Sequence, residues 1–484
     1  MAAGILAYGG YVPKARLQRA EIAKAHSWFN PGLRSLGRGE RAMANWDEDT
    51  VTMAVEAGRD CLADMPRGDV GGLYMASTTY PFLDRQNSGI LAEALNLSRG
   101  VQAVDLSSSQ RAGSSALMLA LQTSGERKTL VCASEKRRTK AASPLEFSCG
   151  DGAAALLVGE GAVIARYLGG ATETVDFVDH FRGEGESFDY TWEERWVRDE
   201  SYLKIVPGVV AAALDRAGVP ADSISKFCVP STMPAVAPML VKTIGLPPKS
   251  VADDLQANCG ETGTAHSLVM LVNALEQAEA GDKILMIGFG QGCDALVFEV
   301  TPAISTMRGR LGIDGHLARR REEHNYQRFV AFNELLIMER GIRAETDKVT
   351  GLTTLYRNRA MTQGFIGGKC NKCGTLQFPK TNICVDADCA AIGSQEDEPF
   401  SSKTAKLNSY TADGLTYTPD PPNYFGMVQF DEGGRLMSDF TDIDPDTELV
   451  VGMPMRMVFR VKDYDKRRGF RRYFWKATPA DGAA

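Results

Sequence analysis

Between residues 4 and 302 the chain alternates short apolar runs with amphipathic stretches. Apolar runs bounded by glycine or polar residues predict buried strands, and apolar residues at every third or fourth position predict helices. This ordered alternation of strands and helices is typical of an α/β fold. Strands are predicted at residues 4–12, 71–75, 129–133, 155–159, 226–229, 283–287 and 295–300, and helices at residues 16–25, 48–62, 202–217 and 268–278.

One stretch, VDLSSSQRAGSSAL from Val104 to Leu117, combines a strand end, a turn and a helix start. Apolar residues up to Leu106 predict a buried strand, the three serines allow a tight turn, and residues 111–121 predict a helix. Gln110 is therefore expected at the positive end of a helix, where an activated nucleophile normally stands. Its carboxamide can donate and accept hydrogen bonds, but it cannot form an acyl-enzyme.

This stretch resembles the active-site turn of the thiolase superfamily, in particular the 3-hydroxy-3-methylglutaryl-CoA synthase branch, with Gln110 in place of the family's cysteine. Further resemblances follow in the family's order: CGDGAA at 149–154, DHFR at 179–182, ESYL at 200–203 and GFGQG at 288–292. The resemblance covers residues 3–302. It implies a pseudo-duplicated, five-layered thiolase-like fold, a homodimer formed through this domain, and a coenzyme A thioester as substrate.

Three further positions at which the resemblance places catalytic groups carry other residues. Thr78 stands where the synthase branch has a general-acid glutamate, and Cys228 stands where the family has a histidine. Glu261 takes the place of an asparagine that helps to form the oxyanion site, although a shift of one residue would assign that place to Asn258. With Gln110, four catalytic positions have changed.

Other residues of the same loops complete the candidate site. His266 stands at the start of an apolar helix, and Cys149 precedes a glycine-rich turn expected near Gln110. For Cys149 a structural place beside the turn is the more frequent situation. By the resemblance, the loop glycines bind the coenzyme A thioester: Gly260, Gly288 and Gly290.

Four cysteines near residue 380 form the strongest chemical motif of the chain. Cys370 and Cys373 are separated by two residues, and Cys384 and Cys389 by four. Two such pairs supply four thiolates for a tetrahedral, closed and therefore structural zinc site. The second pair is longer than the usual two-residue spacing, so Asp386 or Asp388 could intrude.

The remaining sequence divides into three predicted segments after the thiolase-like domain at residues 1–302. Residues 303–360 are a charged helical connector with a helix at 329–338, residues 361–400 a zinc ribbon, and residues 401–484 a small β-barrel. Short strands are predicted at 406–410, 424–430, 436–440 and 455–461. The ribbon and barrel resemble the zinc-ribbon and OB-fold partner that accompanies thiolase-like enzymes, which implies an accessory acyl-CoA role.

Composition narrows the classes of partner and compartment. The 484 residues carry a formal charge of -7, which gives no electrostatic reason to expect nucleic acid or an anionic membrane as partner. Ten cysteines in so long a chain do not indicate a disulfide scaffold. The N-terminal sequence has no long apolar core, so neither a signal peptide nor a membrane anchor is expected, and the expected compartment is cytoplasmic.

Three hypotheses on function follow from these residues. The first is an acyl-CoA-dependent enzyme that makes or breaks a carbon-carbon bond next to the thioester without a cysteine nucleophile; Glu261, His266 or Cys228 would move the proton and Gln110 would hold the thioester or a leaving carboxylate. The second is a thiolase or acyltransferase that uses a displaced cysteine, Cys228 or Cys149. The third is a noncatalytic acyl-CoA-binding scaffold. Polar, ionisable replacements at the changed positions favour an enzyme.

Overall fold

The computed structural model describes residues 3–123, 125 and 127–480. The chain divides into two compact units, of which the first comprises Met1–Ala44, Met53–Gly89 and Leu97–Phe329. The second comprises Asn45–Thr52, Ile90–Asn96 and Val330–Ala484. The predicted domain boundaries at residues 302, 360 and 400 stay predictions.

Elements β1 to β14 and α1 to α11 make up the chain as far as Phe332. The strands are β1 (Ala3–Tyr11), β2 (Ala15–Gln18), β3 (Glu40–Met43), β4 (Val70–Ala76), β5 (Gln102–Leu106), β6 (Lys128–Glu135), β7 (Gly152–Glu160), β8 (Ala165–Thr174), β9 (His180–Phe181), β10 (Tyr190–Thr191), β11 (Lys226–Cys228), β12 (Lys283–Phe289), β13 (Gly292–Val300) and β14 (Arg321–Glu323). The helices are α1 (Arg19–His26), α2 (Thr50–Leu62), α3 (Asn87–Ala94), α4 (Ala112–Gln122), α5 (Pro144–Ser148), α6 (Glu194–Val197), α7 (Leu203–Ala217), α8 (Val236–Ile244), α9 (His266–Glu276), α10 (Gly312–Ala318) and α11 (Tyr326–Phe332).

Nine strands of the first unit form one mixed sheet that has two similar halves. Its order is β11-β12-β13-β8-β1-β7-β6-β4-β5, and the halves meet where β1 pairs with β8. Helices α4 and α9 contact strands of both halves and also each other, so they form a shared inner layer. Because both are enclosed, α4 and α9 are apolar or small around nearly their whole circumference. This arrangement confirms the predicted thiolase-like α/β fold.

The second unit contains β15 (Ile366–Cys370), β16 (Leu376–Gln377), β17 (Gln395–Pro399), β18 (Ala405–Asp413), β19 (Asn423–Phe430), β20 (Arg435–Asp439), β21 (Pro454–Asp465), β22 (Phe470–Pro479), α12 (Leu352–Arg357) and α13 (Arg359–Thr362). Strands β15 to β17 form a small sheet, and the other five form a sheet of order β20-β19-β18-β21-β22. A bridge between Phe440 and Ala477 brings the two edges of the larger sheet together, which closes the predicted barrel. Buried aromatic rings, among them Trp475 and Phe365, fill this unit.

Two features of the fold differ from the predictions. Strands β2, β8 and β22 and the hairpin β9–β10 had not been expected. The predicted helix at 329–338 is wrong beyond Phe332, because Glu334 adopts a left-handed φ of 57° and the Leu335 N–H closes back onto the Val330 carbonyl, a helix-ending arrangement. Within the part of the chain described, no helix is both long and apolar enough to cross a membrane.

Candidate functional site

The turn at Gln110 has the predicted form. Strand β5 ends at Leu106, Ser108 adopts a left-handed φ of 71°, and α4 starts at Ala112. The Ser109 hydroxyl donates to the Gly290 carbonyl at 2.9 Å and accepts from the Arg111 N–H at 3.3 Å. These contacts hold Gln110 just before the amino-terminal end of α4, where the helix dipole favours negative charge.

The predicted loop glycines lie where the backbone leaves no room for a side chain. A Cβ atom on Gly290, whose φ is 157°, would lie 3.0 Å from the backbone nitrogen of Gln110. One on Gly260, with a φ of 83°, would lie 2.9 Å from the Cys149 carbonyl oxygen, and one on Gly288 would collide with the Ser114 hydroxyl. These glycines therefore let the loops close around the turn. Their contact with coenzyme A stays a prediction.

Gln110 contacts a histidine that had not been selected from the sequence. Nε2 of the Gln110 carboxamide lies 3.3 Å from Nε2 of His180 on β9. Nδ1 of His180 lies 3.0 Å from a carboxylate oxygen of Asp179. When Asp179 accepts the Nδ1 proton, Nε2 of the neutral ring is an acceptor, and the Gln110 amide donates to it. Oε1 of Gln110 is buried and has no hydrogen-bond partner among the described residues. The turn thus presents an amide beside an imidazole oriented by a carboxylate.

A buried arginine connects the other acidic groups of the site. Nε of Arg137 donates to Asp189 at 3.0 Å, and Nη1 lies 3.5 Å from a carboxylate oxygen of Glu261. Burial alone would lower the pKa of Arg137, but Cys149 and the carboxyl groups of Asp189 and Glu261 raise it above the usual value. Burial opposes the charge of Asp189 as well, yet Arg137 and Arg182 hold its pKa below the usual value. Arg137 and Asp189 therefore form a buried ion pair.

Glu261 and Cys149 are neighbours through their backbones. The Glu261 N–H donates to the Ser148 carbonyl at 2.7 Å, and the Gly150 N–H donates to the Glu261 carbonyl at 2.8 Å. This pairing places Glu261 beside Arg137, whereas Asn258 of the alternative alignment is exposed. Tyr202 is buried with its ring stacked on Phe289, and burial, followed by the Asp179 and Glu261 carboxylates, raises the pKa of its hydroxyl group.

Neither candidate cysteine is a ready thiolate. Cys149 and Cys228 are fully buried, and burial raises their pKa values to about 11 and about 12. Cys228 ends β11, and its thiol lies 3.7 Å from the Met270 carbonyl oxygen on α9. A thiol of so high a pKa is almost entirely protonated, and therefore weakly nucleophilic, at neutral pH.

The remaining predicted acid-base residue, His266, makes only local contacts in the structure. Its Nδ1 atom accepts from the Thr262 N–H at 3.2 Å, and its Nε2 atom lies 3.0 Å from the Asp254 carbonyl oxygen. These contacts fix a neutral ring with the proton on Nε2. His266 and Cys228 therefore lie apart from the contacts that join Gln110 to His180, and a proton-transfer role for either stays a prediction.

A buried carboxylate from another strand lies against Thr78. The Thr78 N–H and hydroxyl donate to Glu135, at the end of β6, at 3.1 and 3.0 Å. Ser77 and Thr79 donate to the second oxygen of Glu135, and the Thr264 N–H to the first. The Glu135 carboxylate therefore joins the loop at residues 77–79 to the loop that contains Thr264.

The four predicted metal ligands converge in the second unit. The sulfur atoms of Cys370, Cys373, Cys384 and Cys389 all lie within 4.8 Å of one another. Tetrahedral zinc with bonds of about 2.3 Å needs sulfur atoms about 3.8 Å apart. The distances of 3.8 Å between Cys370 and Cys389 and 3.5 Å between Cys373 and Cys384 fit that geometry. Asp386 accepts from the Asp388 and Cys389 N–H groups, so it shapes the turn and does not join the sulfur cluster.

Sequence reasoning singled out the segment containing Asp179 and His180 but gave neither a role, and it missed Arg137 and Asp189. The available signal was chemical. His180 is one of only five histidines, it follows an aspartate directly, and Arg137 lies in the basic run KRRTK after an apolar strand. Neither feature has a periodicity that would place it at the turn.

Comparison with known proteins agrees with this architecture. Residues 214–299 match the family described as 3-oxoacyl-[acyl-carrier-protein] synthase III C terminal. Residues 357–391 match the ChsH2 rubredoxin-like zinc ribbon domain, and residues 398–460 match the ChsH2 C-terminal OB-fold domain. The zinc ribbon and the OB-fold predicted from the sequence are thereby confirmed.

Three relatives match a larger share of the chain. The hydroxymethylglutaryl-CoA synthase of Pyrobaculum neutrophilum is 30% identical over 62% of this chain and 88% of its own length. That of Methanocaldococcus jannaschii is 27% identical over 69% of this chain and 100% of its own. A solved HMG-CoA synthase complexed with CoA superposes with a TM-score of 0.60 at 18% identity, covering 71% and 92% of the two chains. This chain therefore belongs to the hydroxymethylglutaryl-CoA synthase family of the thiolase superfamily and carries a ChsH2-type zinc ribbon and OB-fold at its carboxyl-terminal end.

Proposed function

We propose that the protein is an acyl-CoA-dependent enzyme that makes or breaks a carbon-carbon bond next to the thioester without forming an acyl-enzyme. The observation that carries this proposal is the contact between Gln110 and His180, with Asp179 behind the imidazole. Family membership supports a coenzyme A thioester as substrate, since a relative of the same fold was solved with CoA.

The absence of a nucleophile at the turn favours noncovalent chemistry. The carboxamide of Gln110 is not a nucleophile and cannot form an acyl-enzyme. The two thiols that could take the place of a cysteine at the turn, Cys149 and Cys228, have pKa values of about 11 and about 12 because they are buried. An acyltransferase using Cys149 or Cys228 would first have to ionise a buried thiol. The geometry therefore supports acid-base chemistry better than thioester exchange.

In the cleavage direction the substrate is a β-hydroxyacyl-CoA. Nε2 of His180 removes the β-hydroxyl proton, the carbonyl of the departing aldehyde or ketone forms, and the electrons of the broken carbon-carbon bond pass to the α-carbon. The resulting enolate oxygen develops beside the amino-terminal end of α4 and the Gln110 amide, where negative charge is stabilised. The protonated imidazole then returns its proton to the α-carbon and releases acyl-CoA. The same steps in reverse form the bond.

A turnover assay and an intact-mass measurement test this proposal together. The protein is incubated with β-hydroxyacyl-, β-ketoacyl- and malonyl-CoA thioesters, and both products and protein mass are followed. We expect product with no adduct on the protein. An adduct on Cys149 or Cys228 would establish the displaced-cysteine mechanism instead, and neither turnover nor adduct across the panel would favour a scaffold.

Two substitutions assign the roles. Gln110→Ala should lower turnover by about 10² to 10³, the usual cost of losing one preorganised donor, and His180→Gln by about 10² to 10⁴, the usual contribution of a general base. His324→Gln is the matched control, because the side chain of His324 is 63% exposed and lies beside Glu21 and Glu322, away from Gln110. Full activity of His180→Gln would rule out the base proposed here.

The proposed zinc is structural. Four thiolates leave no open coordination position. The ion would be held by Cys370, Cys373, Cys384 and Cys389, and it would keep the ribbon around it folded. Metal analysis of freshly purified protein should give about one zinc per chain. Cys373→Ser should destabilise the ribbon. Finding no metal would contradict the assignment.

We also propose the homodimer that the family resemblance implies. Thiolase-like domains pair through a twofold interface, so light scattering at micromolar concentration should give twice the chain mass of 52.5 kDa. A monomer under these conditions would count against this part of the proposal without affecting the chemistry at Gln110.

A further inference from the structure

His180 is carried by a hairpin too short to be stable alone. Strands β9 and β10 have two residues each, and their ladder consists of the pairs His180–Thr191 and Phe181–Tyr190. An isolated two-stranded hairpin is marginal in water even at greater length. Contacts outside the ladder must therefore hold the imidazole over Gln110.

Apolar burial is not what holds this hairpin. Its aromatic side chains are about half exposed: 54% for Phe181, 52% for Tyr190 and 56% for Trp192. Phe181 and Tyr190 form a cross-strand pair with ring centroids 5.4 Å apart, and this pair lies on the face opposite to His180, because successive side chains of a strand alternate. The hairpin thus turns its apolar face to solvent and its polar face toward the site.

Asp189, the residue before β10, makes the contacts that fasten it. One carboxylate oxygen accepts from Arg137 at 3.0 Å and the other accepts from Arg182 at 3.0 Å. The side chains of Asp189 and Arg137 are only 5% and 7% exposed, so this pair is little screened by water. Arg182 lies within the hairpin, and its second Nη atom donates to the Thr78 carbonyl. Asp189 therefore joins the loop end of the hairpin to an arginine fixed in the site.

We propose that Asp189 is a positioning residue, which acts on the reaction through His180 and does not touch the substrate. This inference rests on the proposed function, since it assumes that His180 transfers the proton. With Asp189 in place, the hairpin can hold Nε2 of His180 within reach of the Gln110 amide. Without its carboxylate, the loop end loses both arginine contacts of Asp189 and keeps the contact of Arg182 with Thr78, the contact of Lys140 with the Phe188 ring and the two-residue ladder. A displacement of about 1 Å is enough to cost up to about 10²-fold in rate.

Asp189→Asn tests this role in the full-length protein, since it removes the charge and keeps the shape. We expect kcat to fall about 10- to 100-fold while KM stays within about threefold, because the base is displaced and the binding groups are not. Asp189→Glu, which restores the charge on a longer side chain, should recover part of the loss. Glu186→Gln, an exposed change in the same loop, is the control and should leave kcat unchanged.

Hydrogen exchange gives a readout that does not depend on activity. Peptides covering residues 179–192 should exchange at least about tenfold faster in Asp189→Asn than in the wild type or Glu186→Gln, while peptides of β12 and β13 stay unchanged. Unaltered exchange in the hairpin, or unaltered kcat, would overturn the positioning role. If the wild type has no turnover, the proposed function fails, and the exchange result still decides whether Asp189 holds the hairpin.

Discussion

Each unit of the molecule contains a cluster of arginine and carboxylate side chains, and the two clusters differ in the parts of the chain that they connect. In the first unit, Arg137 joins Asp189 and Glu261, and Asp189 belongs to the hairpin whose His180 contacts Gln110. In the second unit, a buried cluster of similar chemistry joins strands β21 and β22 to residues 47–49. Similar residue types therefore support the proposed site in one unit and cohesion in the other.

The cluster of the second unit joins distant parts of the chain. Arg460 lies 3.1 Å from Glu48 and 2.8 Å from Asp442, and Lys476 lies 2.8 Å from Asp47. The side chains of Arg460 and Asp47 have no exposure. Arg471 and Tyr473 bind Asp49 at 3.0 and 2.8 Å. The basic groups of β21 and β22 are thus occupied by an acidic segment of the same chain.

Arg460→Ala is expected to have the largest effect on stability. It leaves Glu48 and Asp442 buried without their cation, and removing one partner of a buried ion pair costs about 3 to 5 kcal/mol. Chemical denaturation would measure the loss of unfolding free energy, and hydrogen exchange would show whether it affects β21 and β22. The exposed Arg467→Ala is the control. A loss below about 1 kcal/mol would mean that the cluster adds little to cohesion.

The equivalent change in the first unit, Arg137→Ala, sharpens the comparison. We expect a smaller loss of stability, about 2 to 3 kcal/mol, because the charged hydrogen bonds of Arg137 are lost but Asp189 keeps Arg182 as a cationic partner. Turnover should fall strongly, since Arg137 anchors both acidic groups of the site. If Arg137→Ala were destabilising but fully active, the cluster would be structural like its counterpart.

Acid should weaken the second cluster by a smaller amount. Burial tends to raise the pKa of Asp442, but Arg460 prevails and lowers it to about 2, against an ordinary value of 3.8. A carboxyl group whose folded-state pKa is depressed contributes stability above its unfolded-state pKa and loses that contribution as pH falls through the folded-state value. Between pH 4 and pH 2 the second unit should lose about 2 kcal/mol. The loss should be absent in Asp442→Asn, which can be checked by denaturation at each pH.

The sequence predicted those parts of the fold that have a hydrophobic period or a fixed spacing. Strands such as β6, β7 and β12 are buried on both faces, so their apolar runs stand out, and the cysteine pairs define their own geometry. Strand β8 was not predicted, because its sequence, ARYLGGATET, has no continuous apolar run and is mostly not buried. Its place in the sheet depends on backbone pairing with β13. Short apolar signals were therefore reliable, and a polar strand was not detectable.

The candidate site was predictable only in part, for a different reason. The Gln110 turn follows from local sequence, but His180 is 70 residues away along the chain and stands on a two-residue strand without any periodic pattern. Cys228 was chosen by resemblance to a family motif and His266 because it follows the Glu261 loop, and the structure gives both of them partners in the core. Residues such as His180, which lie outside the positions where relatives keep their catalytic groups, cannot be found from those positions.

The assignment of Asn45–Thr52 to the second unit has a consequence for biosynthesis. Asp47 and its partner Lys476 are separated by 429 positions. At translation rates of about 5 to 20 residues per second, the acidic segment leaves the ribosome about 20 to 90 s before the strands that will cover it. During that interval its carboxylates have none of the partners that β21 and β22 supply. A polypeptide that ends before these strands therefore lacks the cations that pair with Asp47, Glu48 and Asp49 in the folded protein.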